Sequence, residues 1–230
     1  MSSSEDRIVV VTGGAGALGR AVLAEFRQAG WQAVAVDRAG EPLDEVGREP
    51  GVTPVAAELS DRAAVRSAWE QIDAVGTPTA LVALAGGFRP SSLGDLTEDL
   101  LDEMWQSNVG SLLWCAQEAA PRMAAAGGGA IVTVGSKTAV GGPAPVAHAT
   151  SKSAVVRVTE LLADELRPQG VRVNCVLPSV IDTPANRTWM SPDLASRAVS
   201  PAAIAKVIAF LAGPDAAPVS GARVPVYGNA

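Results

Sequence analysis

The sequence predicts an α/β fold: a doubly wound three-layer sandwich with a mostly parallel seven-stranded sheet. Three observations carry this expectation. Short Val-rich runs alternate with longer segments of helical periodicity. The runs are continuously apolar instead of alternating, as strands covered on both faces read. The first run also enters a glycine cluster that opens a helix.

In chain order, residues 7–12 and 31–37 read as the first two strands. Between them Leu18, Val22, Leu23 and Phe26 recur at helical spacing, and Gly30 ends that helix. Residues 53–57 form a third strand, and Ser60 is expected to cap the helix through Val65, Trp69 and Ile72. A fourth strand over 79–84 leads to one long helix over 98–126. Then come a strand over 130–134, a helical block over 146–167 and a strand over 171–177. A helix over 201–211 and a short strand over 223–226 complete the order. Repeated βαβ units with right-handed crossovers give a doubly wound sheet. The length fits one undivided domain over 1–230.

Residues 182–200 interrupt the pattern. They are rich in Pro, Ser and Asp and lie between a strand and a helix, at the carboxyl edge where ligands bind. They read as a substrate lid. Phe88, Arg89, Trp189 and Met190 fall in loops at that edge and could line an aromatic or anionic substrate pocket; the other reading of Trp189 and Met190 is that they close the lid onto the core. Trp31, Trp69, Trp105 and Trp114 are expected in the core.

Hydrophobic residues make up 48% and charged residues 18%, which suits a buried core and excludes a disordered chain. The net charge is −6 and no Lys/Arg cluster occurs, so no nucleic-acid partner is expected. Residues 1–6 are polar and acidic, without the basic and apolar regions of a secretory signal. No apolar run reaches the ~18 residues of a membrane span. Cys115 and Cys175 lie in apolar segments and read as buried free thiols. With one His and two distant Cys, no metal site is expected. A cytoplasmic location, with no membrane partner, follows as the expectation.

The glycine loop carries the first functional signal. Residues 9–19 read VVVTGGAGALG, a strand running through glycines into a helix. Gly13, Gly14, Gly16 and Gly19 permit a tight turn and close approach of a pyrophosphate, with the helix N-terminus favouring the anion. Asp37 closes the second strand 24 residues after Gly13, near the ~20-residue spacing of a ribose-binding acid. Its carboxylate suits the adenosine ribose hydroxyls and repels a 2′-phosphate, which favours NAD(H). Arg38 follows directly and leaves NADP(H) open; its other reading is a solvated surface charge.

From here the sequence resembles the short-chain dehydrogenase/reductase family along nearly its whole length. Residues 12–19 are similar to its TGxxxGxG loop, with Ala17 and Leu18 between the last glycines. The resemblance implies an NAD(P)-dependent oxidoreductase with a Rossmann-type fold and a small-molecule substrate, assembled as a homotetramer or dimer. Glu58 and Leu59 stand where the family touches the adenine, and Ala85 and Gly86 match the end of its NNAG motif. Asn108, Ser136 and Lys152 match the tetrad Asn, Ser and Lys, while Pro178 and Thr183 match the segment that touches the nicotinamide. Lys152 also holds the nicotinamide ribose in that scheme. The GALG string, Ala-Gly-Gly at 85–87 and Asp-Thr-Pro-x-Asn-Arg at 182–187 are similar to dihydropteridine reductases, which implies reduction of a quinonoid dihydropterin.

Three departures stand out. Ala17 replaces a family glycine, and Ala83 and Leu84 replace the paired Asn of NNAG. The third concerns chemistry. His148 stands where the family has its catalytic Tyr, one residue closer to Ser136 than usual, and the single Tyr, Tyr227, lies near the C-terminus. A free Tyr has a pKa of ~10 and a free His ~6.5, and the neighbouring Lys152 disfavours imidazolium. Three readings stay open: His148 replaces Tyr as the acid/base of hydride transfer, best at mildly acid pH; it is a base for a non-redox step; or it is an inert replacement in a weak enzyme or binding subunit.

Overall fold

In a computed structural model, residues 7–229 are described. The reading of residues 1–6 as lacking a signal lies outside them. Seven strands form the sheet: β1 (Ile8–Thr12), β2 (Gln32–Asp37), β3 (Val52–Ala56), β4 (Ala80–Ala83), β5 (Gly129–Val134), β6 (Val171–Pro178) and β7 (Arg223–Val226). Their order is β3-β2-β1-β4-β5-β6-β7, and every neighbouring pair is parallel. The sheet is therefore wholly parallel.

Pleating sends successive side chains to opposite faces, and both faces are covered. Val10, Val34, Leu81, Ile131 and Val173 pack against α3 (Arg62–Asp73), α5 (Ser111–Ala125) and α6 (Val146–Leu166). Val9, Val11, Ala35, Val82 and Val132 pack against α1 (Ala17–Gln28), α2 (Glu41–Gly47) and α9 (Pro201–Ala212). Two covered faces explain the unbroken apolar strands. β2 and β4 flank β1, so the chain winds outward in both directions from there. The cleft at the carboxyl ends of β1 and β4 is the switch point where such sheets bind ligands.

Several expectations are corrected. Asp61, not Ser60, caps α3: its Oδ1 accepts the Ala63 N–H at 2.7 Å, while the Ser60 hydroxyl donates to Glu58. The carboxylate sits one residue nearer the helix and takes the orphan amides. The long helix is not continuous: α4 (Glu98–Trp105) and α5 are joined by a π-helical turn, Gln106–Gly110. Trp105 is 47% exposed, so it is not core. Trp114 is half-buried with the Arg62 guanidinium 5.4 Å above its ring, whereas Trp31 and Trp69 are buried. α2 carries one buried pair, Leu43 and Val46, too little to show as a period. Both cysteines are free and buried. No described helix is long and apolar enough to cross a membrane.

Residues 182–200 hold two short helices, α7 (Pro184–Arg187) and α8 (Pro192–Arg197). The segment is pinned at its base. The Asp182 N–H donates to Val199 O at 2.8 Å, and the Val199 N–H to Val180 O at 2.9 Å.

Candidate active site

The glycine loop is built by close backbone packing. Gly13 has φ +67°, a conformation glycine adopts without strain. A Cβ on Gly19 would lie 2.2 Å from Gly13 O and 2.7 Å from Gly14 Cα, so the first turn of α1 rests directly on the loop. Gly16 caps α1 with no side-chain acceptor, and no acidic residue enters the first turn. The leading amides, at Ala17, Leu18 and Gly19, thus begin a helix open to an anion. Asp37, at the end of β2, ties the loop down: its Oδ2 accepts the Ala15 N–H at 3.0 Å and its Oδ1 the Arg38 N–H at 2.8 Å. Each oxygen keeps a lone pair for a ribose hydroxyl. Arg38 is exposed beside it. Glu58 is exposed and accepts the Ser60 N–H and O–H, while Leu59 is buried. These features fit a dinucleotide: a cradle closed to side chains, a helix N-terminus and a fixed carboxylate.

The floor of the cleft joins three elements. Asn108 lies in the π turn, buried; its Oδ1 accepts the Gly87 N–H at 3.0 Å and its Nδ2 donates to Gly87 O at 3.2 Å. The same Nδ2 donates to Ser151 Oγ at 3.0 Å, and the Ser151 hydroxyl donates to His148 O at 2.9 Å. One amide therefore joins the loop after β4 to the turn of α6 that carries both His148 and Lys152. A Cβ on Gly86 would lie 2.4 Å from Asn108 Oδ1 and 3.3 Å from Lys152 Nζ, so glycine is required there. Ala85 N–H donates to Thr12 Oγ1 at 3.2 Å, linking this loop to β1. The buried Lys152 ammonium donates to Val134 O at 2.9 Å, and burial draws its pKa down to about 8.

His148 lies one turn before Lys152 and is half-buried. Its Nδ1 is buried without a partner, so the ring meets solvent through its other edge. Phe88 stands edge-on to it, with ring centroids 5.0 Å apart at 72°. Burial first, and the Lys152 charge second, lower its pKa to about 4. Imidazole is therefore neutral at pH 7. Tyr227 packs beside Val156, Cys175 and Leu177, with the Lys137 ammonium 5.3 Å from its ring, and does not stand in for the missing phenol.

Ser136 follows β5 and caps a one-turn helix, Lys137–Ala139. Its hydroxyl pairs with that of Thr138. Pro178 is buried at the end of β6, and Thr183 caps α7 by accepting the Asn186 N–H at 3.1 Å. Asp182 is ion-paired to Arg187 at 2.7 Å. Phe88 and Trp189 are each 60% exposed, so Trp189 does not close onto the core; Met190 is half-buried. Arg89 pairs with Glu103 at 3.0 Å. Among the described residues no group of His, Cys, Asp and Glu has metal-site geometry. Ser151, bonded to Asn108, and Thr138, bonded to Ser136, are partners of candidate site residues that the sequence does not single out. The signal for Ser151 was its place directly before Lys152; Thr138 carried none.

Residues 7–193 match the family model described as short chain dehydrogenase. The chain is 29% identical to a D-xylose 1-dehydrogenase of Caulobacter vibrioides, over 95% of its own length and 93% of that protein. It is 32% identical to an L-xylulose reductase of Mus musculus, over 97% and 96% respectively. The solved structure of a 3-ketoacyl-(acyl-carrier-protein) reductase from Brucella melitensis, complexed with NADH, superposes with a TM-score of 0.90 at 27% identity, covering 98% of each chain.

Proposed function

The chain belongs to the short-chain dehydrogenase family, and from that premise we propose an NAD(H)-preferring enzyme that interconverts a small alcohol and its carbonyl, with His148 exchanging the proton. One observation carries the reading: a single buried amide, Asn108, ties Gly87 to the turn of α6 bearing His148 and Lys152. The bound nicotinamide supplies or takes up the hydride. The amides of the Gly13–Gly19 loop hold the pyrophosphate, Asp37 the adenosine ribose, and Glu58 with Leu59 the adenine edge. Ala85, Gly86, Pro178 and Thr183 border the nicotinamide, and Lys152 holds its ribose. Ser136 orients the substrate oxygen. Asn108 and Lys152 hold the water that connects His148 to solvent.

The depressed basicity of His148 sets the direction. As an acid it must first be protonated, and at pH 7 a group at about 4 is charged in about one molecule in a thousand. As a base it is already in its working form. The site thus favours alcohol oxidation at neutral pH, and reduction gains as pH falls toward 4. The same observation supports a second reading, a non-redox or weak member of the family that keeps its nucleotide unconsumed.

Narrower readings follow from the substrate side. The 85–87 and 182–187 strings favour a quinonoid dihydropterin; the sugar-active relatives favour a pentose. Exposed Leu101, Trp105, Leu161 and Phe210 suit a homo-oligomer, tetramer or dimer. The two free thiols suit a cytoplasmic protein. The test is cofactor stoichiometry with L-xylulose, D-xylose, a 3-oxobutyryl thioester and quinonoid dihydropterin. One nicotinamide converted per product supports the redox reading. Product formed with the cofactor unchanged supports the second.

A further inference from the structure

Ser136 Oγ accepts the Thr138 N–H at 3.2 Å and lies 2.8 Å from Thr138 Oγ1. A serine hydroxyl has one proton and two lone pairs. The backbone N–H fills one lone pair. If Ser136 gave its proton to Thr138, it would have none for a substrate carbonyl, which can only accept. If Thr138 gives its proton to Ser136, both lone pairs are filled and Ser136 can only donate.

We propose that Thr138 is a positioning residue, whose hydroxyl donates to Ser136 and so keeps the Ser136 proton for the substrate oxygen. For the carbonyl, Thr138 donates to Ser136 and Ser136 to the substrate. For the alcohol the arrangement is the same: the alcohol proton goes to His148, and Ser136 donates to the alcohol oxygen. Both directions cross one transition state, so one orientation of the 2.8 Å pair serves the reversible reaction. Chained hydroxyls also polarise one another, which strengthens the outer bond. The inference rests on Ser136 orienting the substrate, as the function above has it.

The experiment is initial-rate kinetics in both directions on whichever of the four substrates turns over, with NADH affinity measured separately by fluorescence titration. Thr138→Val lowers kcat/KM about tenfold, about 1.4 kcal/mol, and equally in both directions, because the overall equilibrium is fixed. NADH affinity does not change, and Thr138→Ser restores activity to within about twofold. Ser136→Ala with Thr138→Val is no slower than Ser136→Ala alone, since Thr138 acts through Ser136. Thr138→Ala, which removes bulk instead of adding a methyl, repeats the loss and guards against a misfolded Val variant. Wild-type rates in both Thr138→Val and Thr138→Ala, with Ser136→Ala impaired, overturn the role of Thr138 alone; additive losses do the same. Wild-type rates in Ser136→Ala overturn the Ser136 assignment and this inference with it. Turnover of none of the four substrates overturns the function itself.

Discussion

At the scale of single residues, the site turns on how few atoms the environment leaves free. Asp37 spends a lone pair of each oxygen on a backbone N–H, from Ala15 and Arg38, before any ribose arrives. It is therefore fixed in place as well as charged. Asp37→Ala should weaken NADH by about thirtyfold, about 2 kcal/mol for the lost charge-assisted bonds. NADPH should lose less, because the carboxylate also repels its 2′-phosphate. Fluorescence titration of both cofactors checks this, and equal losses would argue against Asp37 as the selecting group. In the sequence, spacing from the glycine loop singles out Asp37, and the family resemblance singles out His148 and Lys152. The burial of His148 Nδ1 and the Thr138 partnership of Ser136 were not legible there, since neither follows from spacing along the chain.

At the scale of elements, the π turn between α4 and α5 shows what periodicity hides. A helical pattern over 98–126 reads the same with or without one widened turn. The turn nonetheless places Asn108, which the Ser111 hydroxyl supports by donating to Ser107 O at 2.6 Å. Ser60 and Asp61 were confused for a similar reason: adjacent residues both cap well, and only geometry selects one. The tight turn of the glycine loop was legible because its constraint is steric and local. Gly19→Ala tests that constraint. Its methyl would meet backbone that cannot turn aside, 2.2 Å from Gly13 O. We expect a loss of about 2 kcal/mol in stability together with loss of NADH binding. Thermal unfolding and titration measure the two, and an unaffected variant would show that α1 can move off the loop.

At the scale of the whole molecule, the wholly parallel sheet with both faces covered was predictable in class and nearly so in strand bounds. Continuous Val-rich runs leave few other folds, and no strand end shifts by more than one residue. Less visible was how the layers meet at the carboxyl edge. Phe88 comes from beyond β4 and His148 from α6, yet they stack edge to face. The α6 turn carries a weakly basic imidazole one turn from a buried ammonium. On the proposed function, chemistry at this edge depends on protons supplied at acid pH for reduction and accepted at neutral pH for oxidation.

The most direct test is the pH profile of NADH-dependent reduction, from pH 4 to 8, for the wild-type protein and for His148→Tyr. Wild-type kcat/KM should climb as pH falls toward about 4. His148→Tyr should be faster at pH 7, with its optimum moved toward neutrality. A wild-type profile that is flat, or that rises with pH, would contradict His148 as the group that exchanges the proton.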